Sequence, residues 1–265
     1  MGYNTKALKN RIRSVNSTLH LTRAMGLVAS SKMRRANESM NSGRQYAALR
    51  RDLEPLVPYI YFICENGALI MRGDKQVFID PVPAGELPAV IEAGRTLTRV
   101  YPVLCRPHCG YIERSAAPDF RAETLRYYPG QQVVPDLSAL TASADVCKVA
   151  FYDEGDAQTH ELPVLSSLLG DRLSVILSGE HWVDVMKPGV HKGAAMRGLQ
   201  GLLGVRPEEC MAFGDYLNDC ELLEAVGESY AMENAHPTLK GMARHIAPSN
   251  DEDGVMRVLR ERFAL

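Results

Sequence analysis

An α/β fold is the class that this 265-residue sequence predicts, and three observations predict it. Short β-rich apolar runs (YIYFIC, QVFI, CKVAFY, LSVIL, WVDVM, MAFG) alternate with stretches of helical spacing (LPAVIEAGRTL, HELPVLSSLLG, KGAAMRGLQGLLG, DCELLEAVG, DGVMRVLRERF). The composition, 46% hydrophobic and 23% charged, suits one large domain or two with a full core. The stretch MAFGDYLND, residues 211–219, reads as a strand that ends in acidic and amide residues just as a helix begins.

Taken from the N-terminus, the first element predicted is a helix. Ile12, Val15, Leu19, Thr22, Gly26, Ala29, Met33, Ala36 and Met40 follow alternating steps of three and four, the seam of a coiled coil. No proline precedes Pro55, so a helix over residues 4–52 spans roughly 74 Å at 1.5 Å per residue. A lone helix of that length needs a partner for its seam, and self-association through it is expected. The arm is basic: eleven Lys or Arg stand against Glu38 and Asp52 in residues 1–52, a net +9, which leaves −11 for the rest of a chain whose net charge is −2. Tyr3 and Tyr46 are its only aromatic residues, so a solvated face or a protein partner fits better than nucleic acid. No apolar run nears the ~20 residues that cross a bilayer, and MGYNTKALKNRIRS lacks the apolar core of a signal peptide; the expected compartment is the cytoplasm. Six cysteines without a CxxC pair read as reduced thiols packed as small hydrophobes, and Cys105-x-x-His108-Cys109 has the wrong spacing for zinc.

The chemistry concentrates in residues 211–227. Gly214-Asp215 ends a strand and Asn218-Asp219 opens a helix, which sets oxygen donors suited to Mg²⁺ at the carboxyl edge of a sheet; Asp219 as a simple helix N-cap is the alternative. Lys192, in KPGVHKGAAM, stands just before a helix as a point charge suited to a phosphate, or as an ordinary surface lysine.

Two resemblances follow. LKNRIRSVNSTLHLTRAMGLVASSKMRRANESM resembles the N-terminal helix of the gamma subunit of F-type ATP synthases over about residues 3–40. From about residue 41 to the C-terminus the pieces NSGRQYAALRRDLEPL, FICENGALI, WVDVMKPGVHKG, MAFGDYLND, SYAMENAHP and APSNDEDGV resemble the Cof-type phosphatases of the haloacid dehalogenase (HAD) superfamily, in that family's order. The second resemblance implies Mg²⁺-dependent hydrolysis of the phosphate esters of small metabolites, sugar or nucleotide phosphates, through an aspartyl-phosphate. Carried over by motif, Ser42 and Gly43 hold the phosphoryl oxygens, Lys192 neutralises charge, Asp215 binds the metal, Asn218 and Asp219 support phosphate and metal, and Asn234 lines the entrance.

It further implies a HAD-like Rossmannoid core from residues 53–68 and 183–265, a Cof-type α+β cap from 69–182, and the long basic helix of 1–52, gamma-like up to about residue 40. One part of the family pattern has no counterpart: the apolar strand ending in DxDGT or DxDGN, whose first Asp is the nucleophile. The arm stands in its place, and Asp251-Glu252-Asp253-Gly254 reads as a helix start instead. The core is therefore expected to lack two central strands, with YIYFIC and MAFG left three strand spacings apart, about 14 Å. Impaired catalysis follows. A rotor-type interaction protein and a non-functional fusion are the alternative readings.

Overall fold

The computed structural model describes residues 57–263 together with Tyr46, Arg50, Leu53 and Glu54. Tyr46 and Arg50 are helical; the rest of the expected N-terminal helix, with its seam, Ser42 and Gly43, lies outside the described residues. Among the described residues the strands form three sheets.

The first sheet is an antiparallel meander of β1 (Phe62–Cys64), β2 (Leu69–Arg72) and β3 (Lys75–Ile79). Tyr46 is 1% exposed against it, its ring edge-on to Phe62 at 5.3 Å and its hydroxyl donating to the Gly73 carbonyl at 2.5 Å. Tyr46 thus anchors on this sheet as a single buried aromatic residue.

The second sheet carries β4 (Val100–Arg106), β5 (Cys109–Glu113), β6 (Gln132–Val134), β7 (Lys148–Asp153), β8 (Ser174–Gly179) and β9 (Trp182–Met186), in the order β6-β5-β4-β7-β9-β8. Only β5 and β6 pair in parallel. Strand alternation sends Val149, Phe151, Val183 and Val185 to one face, where α1 (Leu87–Arg95) and α3 (Glu161–Leu169) cover them. Ala150, Trp182, Val103 and Cys105 take the other face, with Phe120 of α2 (Pro118–Tyr127) and with Tyr128. Both faces are dry, which is why CKVAFY and WVDVM read as continuous apolar runs.

The third sheet is parallel: β10 (Met211–Gly214), β11 (Glu228–Met232) and β12 (His245–Ala247), joined by α5 (Cys220–Glu224) and α6 (Pro237–Met242). After β9 comes α4 (Lys192–Leu203), which packs on α5 and on β1 with the turn that follows it, capped by the His191 imidazole at its start and by left-handed Gly204 at its end; α7 (Gly254–Phe263) is the last described helix.

Two expectations need refinement. Only Phe62–Cys64 of YIYFIC is strand, and among the described residues it pairs antiparallel with β2 rather than in a parallel array. β2 and β3 belong with β1, while β9 belongs to the six-stranded sheet, so sheet membership runs across the expected boundaries at 69 and 182. The cause is local: the turn after Cys64 folds the chain straight back into a hairpin. Among the described residues no strand joins β1 to β10, and β10 pairs on one edge only, with β11.

Candidate functional site

The site grows from the carboxyl end of β10. Asp215 follows the strand directly, and a single 3₁₀ turn, Leu217–Asp219, carries Asn218 and Asp219 back over it. The α4 helix approaches from the other side because residue 193 is glycine: a Cβ there would lie 2.1 Å from the Glu221 carbonyl oxygen. That close crossing delivers Lys192, whose Nζ donates to Asp219 Oδ1 at 2.5 Å. Asp219 is 6% exposed, and its Oδ2 accepts the Asp215 amide at 3.2 Å. Its side chain makes no helix-capping hydrogen bond, so the N-cap alternative has no support in the geometry.

Asp215 is held from the C-terminal side. Asn250 Nδ2 donates to Asp215 Oδ2 at 3.1 Å, and the His236 amide donates to the Asp215 carbonyl at 2.9 Å. Asn234 is exposed, and its Oδ1 accepts the Asn250 amide at 3.2 Å, which ties the ENAHP loop to the same tail. Burial pushes the Asp215 carboxyl above its usual range, the neighbouring Asp219 adds to the rise, and Asn250 and Lys192 partly oppose it. A half-buried carboxylate beside a second one favours a cation. The donors are hard oxygens, as Mg²⁺ requires, but Asp219 already spends both oxygens on Lys192 and the Asp215 amide. Among the described residues no set of three His, Cys, Asp or Glu is placed to hold a metal.

The structure thus gathers Lys192, Asp215, Asn218 and Asp219 at one sheet edge and places Asn234 at its rim. Asp251 is exposed in the 3₁₀ turn Asn250–Glu252, with Ser249 Oγ accepting its amide, and left-handed Asp253 leads into α7. The DEDG stretch is a helix start rather than a strand end. Sequence reasoning passed over Asn250, which fixes Asp215 from 35 residues away.

A second polar cluster was also passed over. Lys148 on β7 is 2% exposed, with Nζ 3.0 Å from Asp184 Oδ2 and 3.5 Å from Glu65 Oε2. Asn66 Nδ2 donates to the same Asp184 oxygen at 2.7 Å. Burial pushes the Glu65 carboxyl up to about 7 against the pull of Lys148. On Lys148 the two carboxylates outweigh burial and hold the ammonium above its ordinary range. The signal was present in the sequence: one Lys inside CKVAFY and one Asp inside WVDVM, charges within runs that are otherwise buried.

Residues 39–259 match the haloacid dehalogenase-like hydrolase family, and the chain belongs to it. Residues 4–54 match the ATP synthase family, so the two matches overlap over 39–54. A 5-amino-6-(5-phospho-D-ribitylamino)uracil phosphatase of Escherichia coli is 29% identical over 218 residues, 82% of this chain and 80% of that protein. An HMP-PP phosphatase of Klebsiella pneumoniae is 38% identical over 106 residues, but these are only 40% of this chain and 39% of that protein. A solved structure from Streptococcus mutans superimposes with a TM-score of 0.74 at 24% identity, over 84% of each chain, and shows the shared fold.

Proposed function

We propose that Lys192, Asp215 and Asp219 form a phosphate- and Mg²⁺-binding site for a small phosphorylated metabolite, in a HAD-family chain whose catalysis is impaired. The observation that carries this reading is the 2.5 Å contact of Lys192 Nζ with Asp219, beside an Asp215 carboxylate that burial and its neighbour hold in need of a cation. Lys192 would meet the phosphate as a point charge. Asn250 fixes the direction in which Asp215 faces, Asn218 lines the turn between the two carboxylates, and Asn234 stands at the rim. Ser42 and Gly43, outside the described residues, would take the phosphoryl oxygens. Mg²⁺, when bound, would screen charge between phosphate and carboxylates.

Turnover needs an attacking carboxylate and an acid-base neighbour. The family's DxD strand has no counterpart in this sequence, and residues 4–54 match another family where that strand would stand. The six-stranded sheet would act as the substrate-selecting cap. Phosphorylated pyrimidines or sugars are the substrate class, in keeping with the relatives named above. We place the protein in the cytoplasm. Among the described residues no helix is long and apolar enough to cross a membrane.

Calorimetric titration of the full chain with inorganic phosphate in the presence of Mg²⁺ tests the site. Lys192→Met is expected to weaken binding at least tenfold; equal affinity in the two proteins overturns the assignment. A second association is expected through the N-terminal seam, and sedimentation showing a strict monomer at tens of micromolar would contradict it.

A further inference from the structure

Three successive residues between β1 and β2 take positive φ: Glu65 at 49°, Asn66 at 54° and Gly67 at 105°. For glycine this is free, but a non-glycine residue in the left-handed region is strained. Such strain persists only where surrounding contacts over-determine it. On one side they do so through the six-stranded sheet, by the Asn66 bond to Asp184 and the Lys148 ammonium shared between Asp184 and Glu65. On the other side Gly67 presses on the start of α4: a Cβ at 67 would lie 2.5 Å from the His191 carbonyl oxygen and 3.0 Å from the Lys192 amide nitrogen.

The turn therefore bridges a buried charge cluster in one sheet and the backbone that presents Lys192 to Asp219. Glu65 is wholly buried, and the cation that faces its carboxylate is Lys148, with Nζ 3.5 Å from Oε2. The groups facing it are Lys148, Asp184, Cys64, Cys105, Cys147 and Tyr128. Burial holds the three thiols and the phenol above their usual values, so they stay neutral at pH 8 and below. One cation thus faces two carboxylates. With Glu65 ionised the cluster holds a net negative charge in a dry setting; with Glu65 protonated, Lys148 and Asp184 form a balanced pair.

We propose that Glu65 and Asn66 are positioning residues for Lys192: the Glu65–Gly67 turn is the joint between the six-stranded sheet and the start of α4, tight when Glu65 carries a proton and slack when it does not. The importance of Lys192 rests on the phosphate-site reading, but the joint itself does not, and its test needs neither phosphate nor turnover.

Hydrogen exchange of the full chain at pH 6 and pH 8, corrected for intrinsic rates, reads the joint directly. Protection of the amides of residues 68–69 and 194–197 is expected to fall about tenfold from pH 6 to pH 8, as ionising a group with a folded pKa near 7 requires. Glu65→Gln should abolish that fall, while α7 exchanges alike in both proteins. The His191 imidazole, whose ring nitrogen accepts the Ala194 amide at 3.3 Å, is the same in the wild-type and Glu65→Gln proteins, so it cannot account for a difference between them. Asn66→Ala should lower protection at 194–197 at both pH values. A flat profile in the wild-type chain, the same fall in Glu65→Gln, or an Asn66→Ala effect confined to β7 and β9 would each overturn the joint. Phosphate binding lost with the joint intact would instead remove the site.

Discussion

Replacing Glu161 with Gln should make the protein more stable, and by an amount that grows with pH. Glu161 opens α3 with its side chain wholly buried, and neither carboxylate oxygen has a hydrogen-bond partner among the described residues. Burial, then the Asp153 charge and then that of Asp184, push its carboxyl from 4.5 to about 9. The sign follows from linkage: the folded protein keeps a proton that the unfolded chain releases, so this stability is fully present below about pH 4.5 and is lost as pH rises toward 9. At about 1.4 kcal/mol per pH unit, the cost reaches about 3 kcal/mol at pH 7. Glutamine keeps the shape and loses the titration. Urea unfolding followed through Trp182, the one tryptophan in the chain and 9% exposed, gives both stabilities. The difference between variant and wild type should widen by about 1.4 kcal/mol for each pH unit between 5.5 and 8.5. A difference that stays constant across that range would refute a neutral, buried Glu161.

Lys148→Met strands two buried carboxylates and should cost about 3–5 kcal/mol in the same assay, less at pH 5 than at pH 8 because Glu65 is then protonated. Gly193→Ala sets a methyl 2.1 Å from the Glu221 carbonyl oxygen, so α4 and α5 must part. Thermal unfolding should show a loss of about 1–3 kcal/mol. Asp219→Asn removes a like charge beside Asp215, and the Asp215 carboxyl, followed by carbon-detected NMR titration, should move down toward its usual range. No downward movement would show that burial alone sets it.

How far the sequence foretold this molecule depended on which residues were local to their partners. CKVAFY and WVDVM announce themselves as strands because both of their faces are buried. The run VYPVLCR does not, since Pro102 interrupts it; the structure places that proline where β4 pairs with β7 alone, beyond the reach of β5. ESYAM and HIA are too short and too polar to read as strands, and only parallel pairing with β10 and β11 defines them. At the site, Lys192, Asp215 and Asp219 were legible because each sits at a strand end or a helix start. Asn250 was not, because its role depends on a 35-residue return of the chain to Asp215. The Glu65–Lys148–Asp184 cluster joins three segments far apart in sequence, and no periodicity connects them.

The central claim is that the family's binding groups stand at the end of β10 without the carboxylate that attacks. Incubation of the purified full chain with para-nitrophenyl phosphate and Mg²⁺ tests it most directly, beside a version in which an apolar strand ending in DxDGT, its following helix and the strand that precedes Ser42 are restored. The account predicts background release of nitrophenol from the chain as it stands, and turnover from the restored version that Asp215→Ala abolishes. Turnover by the unmodified chain, lost on Asp251→Asn, would contradict it and make the C-terminal tail the source of the nucleophile.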